Sequence, residues 1–119
     1  MQVFQNSLQT MTQLRDVETR SISNENRSVA KSGAARDYPK KGETGQFEGA
    51  ARELGLGWKT HPCDEIKPGE TFVLADIKGS GCIQQIWMTL TGNQFRHAIL
   101  RFYYEGNENP SVECPAGDF

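Results

Sequence analysis

The chain has 119 residues, of which thirteen are basic and fifteen acidic, giving a formal net charge of -2, and its mean hydropathy is -0.62. That length suits one domain, since compact domains cluster at about 100–150 residues, and the balanced charge with no Lys/Arg stripe excludes a surface built to neutralise a phosphate backbone. No apolar run approaches the ~18–20 residues that span a bilayer, and Met1 to Thr12 has neither the basic start nor the apolar centre of a signal peptide; the expectation is a soluble, cytoplasmic chain with no nucleic-acid or membrane partner.

In chain order, Val3, Phe4, Leu8, Met11 and Leu14 recur at three- and four-residue steps and predict a short amphipathic helix within a helical segment spanning residues 1–19. From Arg20 to Gly49 the composition turns to Ser, Asn, Gly, Lys and Glu, which lacks the apolar surface to offset ordering entropy and predicts a long polar loop. His61 to Ile66 reads as a brief extended piece and Lys67-Pro68-Gly69-Glu70 as a turn, Pro setting one dihedral and Gly allowing the next. Three runs, 70–78, 82–90 and 98–104, then hold most of the branched and aromatic residues. Their spacing, with turn signals and no helix between them, predicts antiparallel strands of one sheet. A fourth short run follows the turn at Gly106-Asn107 and stops on the apolar Phe119. Such an ending is read as that of a fragment, with further strands expected beyond it. The fold expected is all-β: a partial antiparallel jelly-roll-like β-sandwich over residues 20–119, preceded by the helical segment and the polar loop.

Cys63, Cys82 and Cys114 are widely spaced, with no C-x-x-C pair and no His cluster at zinc spacing, so they read as ordinary thiols and neither metal nor cofactor is expected. Cys63 with either histidine lacks a third orienting group for nucleophilic chemistry. Gly55-x-Gly57 and Gly79-x-Gly81 precede no helix, which removes the phosphate-cradle reading.

Six blocks carry a further signal: Arg20-Ser21-Ile22-Ser23-Asn24-Glu25-Asn26; Gly57-Trp58-Lys59; Ile66 through Thr71; Leu74-Ala75-Asp76-Ile77; Ile86-Trp87-Met88-Thr89; and Leu100 through Gly106 running into Asn109-Pro110-Ser111-Val112-Glu113 and Gly117-Asp118-Phe119. In this order they resemble the start of glycoside hydrolase family 172, formerly a domain of unknown function, DUF2961. The resemblance implies jelly-roll β-sandwich domains, action on fructo- or arabinofuranosyl linkages, a carbohydrate partner and a homo-oligomeric full-length enzyme. It also implies that both catalytic glutamates lie beyond Phe119, so no catalytic residue is assigned here and the chain by itself is expected to be inactive.

Retaining glycosidases need two carboxyl groups about 5–5.5 Å apart. Of the carboxylates present, Glu105 and Glu108 read as solvated turn residues, and Asp76, inside an apolar run, as paired and structural. The polar loop offers Arg20, Ser23, Glu25 and Asn26 as donors and acceptors for sugar hydroxyls, while a capping or turn role for Ser23-Asn24-Glu25 is an equal alternative. Trp58, between Gly57 and Lys59, is a candidate stacking surface or a packed residue; Trp87 reads as core. His61 and His97 are solitary in the sequence. The competing function is a non-catalytic β-sandwich module binding carbohydrate or protein, and a third possibility is a truncated product with no function of its own.

Overall fold

A computed structural model describes residues 12–14, 16–36 and 51–119. Most of the expected N-terminal helix, including Val3, Phe4, Leu8 and Met11, lies outside the described residues; Leu14, which is described, is fully exposed. The contacts divide the chain into two units, Met1–Gly81 and Cys82–Phe119.

In the second unit, β1 (Ile99–Phe102) and β2 (Val112–Pro115) form an antiparallel pair with the register Ile99 to Pro115, Leu100 to Cys114, Arg101 to Glu113 and Phe102 to Val112. The connection starts with a tight turn in which the Asn107 N–H donates to the Tyr104 carbonyl at 3.1 Å. Its central residues, Glu105 and Gly106, have φ of 55° and 73°. Positive φ at both central positions marks the hairpin turns whose twist matches that of paired strands, so Glu105 is the solvated turn residue its position suggests. Leu100, 6% exposed, is the buried hydrophobic side chain among the described residues. Opposite faces of the ribbon carry the Arg101–Glu113 pair, Nε to Oε2 2.5 Å, and the stacked rings of Phe102 and Phe119, 5.3 Å between centroids. Glu113 raises the Arg101 pKa above its ordinary value, first by accepting its hydrogen bond and then by its charge. A 3-10 turn at Gln94–Arg96 precedes the ribbon and is tied to the C-terminal turn by the Gly117 N–H on the Phe95 carbonyl at 2.9 Å and by Arg96–Asp118, also 2.9 Å.

The expected three-stranded sheet needs correction. Run 98–104 contains β1, and β2 comes from the fourth run, but neither 70–78 nor 82–90 carries a helix or a strand ladder. A strand needs both a hydrogen-bonded neighbour and a buried face, and side chains here have no such cover: Val73, Ile77 and Ile83 are at least half exposed, and Trp87, read as core, is 75% exposed. Asp76 pairs with Lys78 at 3.1 Å on an exposed surface rather than inside an apolar layer.

In the first unit the chain turns at Lys67–Glu70 as expected, with the Glu70 N–H on the Lys67 carbonyl at 3.0 Å and the Lys67 N–H returned to Glu70 Oε2 at 2.9 Å. A short 3-10 turn occupies Arg52–Leu54. No disulfide joins the three cysteines.

Candidate functional site

The polar loop is ordered by its own asparagine. Asn26 is buried, and its amide is used on both sides: Nδ2 donates to the Ala30 carbonyl at 3.1 Å and the Ser21 carbonyl at 3.3 Å, while Oδ1 accepts the Ala30 N–H at 3.0 Å. These bonds replace the ladder that the loop lacks, since buried backbone groups need partners. Ser23 and Asn26 form an isolated antiparallel bridge, with the Asn26 N–H on the Ser23 carbonyl at 3.1 Å. Gly33 is packed so closely that a Cβ at its position would sit 2.5 Å from Asn26 Oδ1 and 2.9 Å from the Ala30 carbonyl oxygen.

The backbone that leaves this knot is strained. Val29, Ser32 and Ala35 have φ of 59°, 58° and 54°, a left-handed conformation that a β-branched side chain in particular resists. Each such residue costs of order 1–3 kcal/mol and persists where surrounding structure over-determines it, a pattern that clusters at ligand-binding sites.

Two consecutive residues pin the loop to segment 61–64. Glu25 Oε1 accepts the backbone N–H of His61 at 2.8 Å, and Asn24 Nδ2 donates to Asp64 Oδ2 at 2.8 Å. The other Asp64 oxygen lies 3.2 Å from His61 Nε2, and these two side chains are only 7% and 2% exposed. The loop is thus tied to this buried pair through the His61 backbone and the Asp64 carboxylate. A third tie comes from Arg27, whose guanidinium lies 4.9 Å above the Phe72 ring and donates to the Val73 carbonyl.

Open clefts flank the knot. One, of about 280 Å³, is lined by Glu25, Asn26, Arg27, Ser28, Gly33 and Arg36, among others. The other, of about 200 Å³, includes Arg20, Ser21, Asn26, Lys31 and Ser32. Both fall below the ~300–1,000 Å³ of pockets that enclose a whole drug-sized ligand, which suits one ring or its substituents. Of the residues singled out in the sequence, Arg20, Glu25 and Asn26 are therefore brought together around one loop. Arg20 also pairs with Glu18. Ser23 contributes through its backbone, and Trp58, 56% exposed, does not line either cleft. His61 and Asp64 are the residues that sequence reasoning passed over. Their i, i+3 spacing was visible, but Asp64 meets Asn24 across a separation of 40 residues that no local pattern reveals. Among the described residues no group of three His, Cys, Asp or Glu is placed to hold a metal ion.

No significant match was found to a curated protein or to a solved structure. A family model does match: the GH172 first beta-sandwich domain, over residues 32–119, well over half of the chain. Five of the six collinear sequence blocks, from Gly57-Trp58-Lys59 onward, fall within this match, and the chain belongs to glycoside hydrolase family 172, with residues 32–119 matching its first β-sandwich domain.

Proposed function

We propose that this chain supplies one wall of the sugar-binding site of an enzyme acting on fructo- or arabinofuranosyl linkages, and that its β-sandwich is of jelly-roll type. The observation that carries this reading is the braced loop: Asn26, the Glu25–His61 contact and the Asn24–Asp64 contact hold polar side chains in a strained, fixed conformation beside two open clefts. Preorganisation of that kind lowers the ordering cost of binding a polyhydroxylated ligand. The candidates for sugar contact are Arg20, Ser23, Glu25, Asn26 and Trp58, with Glu25 and Asn26 also shaping the loop.

No catalytic carboxylate pair is assigned within these residues, so the 119-residue chain by itself is proposed to bind sugar without turning it over. In the whole enzyme, homo-oligomer formation would cover apolar side chains such as Val73 and Trp87, which this chain leaves exposed. The test is titration of the chain with arabinotriose and with kestose, followed by backbone NMR, alongside release assays on the same sugars. Shifts centred on residues 20–36, with or without Trp58, and no product release support the proposal. Turnover by the chain, or shifts elsewhere only, would overturn it.

A further inference from the structure

The chain is acidic overall, at -2, yet residues 20–36 carry four cations, Arg20, Arg27, Lys31 and Arg36, against the single carboxylate of Glu25. These charges are not scattered. Arg27 and Arg36 line one cleft beside Glu25, while Lys31 and Arg20, the latter paired with Glu18, line the other, whose described lining has no acidic residue. The Glu25 carboxylate is already turned to use, since its Oε1 accepts the His61 N–H. The Arg27 guanidinium is held by groups without formal charge, the Phe72 ring and the Val73 carbonyl, so its positive charge is fixed in place but not neutralised by them. Ser28 and Ser32 add hydroxyls beside the cations. A neutral sugar would use hydroxyl and amide partners and gain little from clustered guanidinium and ammonium groups. An anionic group gains charge-assisted hydrogen bonds, roughly twice as strong as neutral ones, and guanidinium forks match carboxylate and sulfate oxygens in geometry.

We propose that this loop selects saccharides bearing an anionic substituent, a carboxylate or a sulfate, with the ring resting on the loop and the anion between the cations of a cleft. The proposal rests on the reading of the loop as a sugar-recognition element and narrows it to a substrate class. Digalacturonate and sucrose octasulfate, titrated calorimetrically into the 119-residue chain, distinguish the carboxylate from the sulfate; arabinotriose and kestose are the neutral arms and inorganic sulfate the sugar-free arm. At least one anionic saccharide is expected to bind about tenfold or more tightly than either neutral sugar, the scale of one charge-assisted contact. That advantage should shrink as salt is raised. Arg36→Gln and Lys31→Gln, both at exposed positions, address one cleft each, and at least one should lose about tenfold in affinity for the anionic saccharide while keeping its affinity for the neutral sugars and an unchanged melting curve. Equal binding of neutral and anionic saccharides, or anionic binding untouched by both substitutions, overturns the charge selection and leaves the sugar-recognition reading standing. Inorganic sulfate binding as tightly as the charged saccharides overturns it as well, the site then being one for a bare anion. If none of the saccharides binds, both readings fall together.

Discussion

Glu25 reaches across 36 residues of sequence to take the backbone N–H of His61 on its Oε1, at 2.8 Å. The contact makes one side chain both a brace for the loop and part of a cleft wall, and substitutions separate the two roles. Glu25→Gln keeps an acceptor oxygen and should fold normally, whereas Glu25→Ala leaves the His61 N–H without this partner and should cost about 1–3 kcal/mol. In a full-length enzyme carrying this domain, Glu25→Ala should lower kcat/KM by about 10- to 200-fold, the kinetic equivalent of ~1–3 kcal/mol. Thermal melts and kinetics run side by side check this, and an Ala variant matching wild type in both would reduce Glu25 to a solvated turn residue.

The knot around Asn26 predicts a non-additive pair. Asn26→Ala removes three hydrogen bonds from a buried side chain and should destabilise by about 1–3 kcal/mol. Gly33→Ala drives a methyl group to 2.5 Å from Asn26 Oδ1 and should cost a similar ~1–3 kcal/mol through overpacking. In the double variant the amide is gone, so the combined loss should fall short of the sum of the two, by about 0.5 kcal/mol or more. Urea denaturation of the four proteins measures it; strict additivity would mean the two sites do not touch.

Val29 holds a left-handed backbone, φ 59°, with a β-branched side chain. Asn tolerates that conformation far better, so Val29→Asn should raise stability by about 1 kcal/mol without moving the loop. A melting temperature that falls on this substitution would show that packing of the half-buried Val29 side chain outweighs its strain.

In the β-ribbon, Leu100 is buried while the neighbouring Arg101–Glu113 pair lies on the surface. Leu100→Ala should therefore remove about 2–3 kcal/mol, the low end of the range for buried Leu. Glu113→Ala should leave stability close to unchanged, because exposed ion pairs are screened and entropically costly. Glu113 holds the Arg101 pKa above its ordinary value, so Arg101 stays charged through the neutral range and the pair should add no pH dependence to stability between pH 6 and 9; the sign is that the Arg101 contribution is lost as pH rises into strongly basic solution. Circular-dichroism melts at several pH values test both statements.

The exposed apolar side chains of each unit, Val73 and Ile77 in one and Ile83 and Trp87 in the other, predict that the isolated chain associates. Sedimentation velocity should show concentration-dependent species above the monomer, and Trp87→Ser should weaken that association. A well-behaved monomer at all concentrations would mean these side chains are tolerated in water as they stand.

Signals that act over a few residues are legible in the sequence alone. The Lys67–Glu70 turn follows from Pro and Gly at adjoining positions, the Tyr104–Asn107 turn from Gly106 and Asn107, and β1 from the alternating run that contains Leu100; the family was legible in blocks whose order, rather than any single motif, was specific. What tertiary structure decided was everything that depends on a distant partner. Runs 70–78 and 82–90 have strand composition, yet they form no ladder, because composition supplies a face to bury and not the neighbour that buries it. The same limit hid the roles of Asn24, Asp64 and His61: a buried polar group is stabilised only by the partner that meets it, and here that partner lies some 40 residues away, brought close by the path of the chain rather than by any pattern along it.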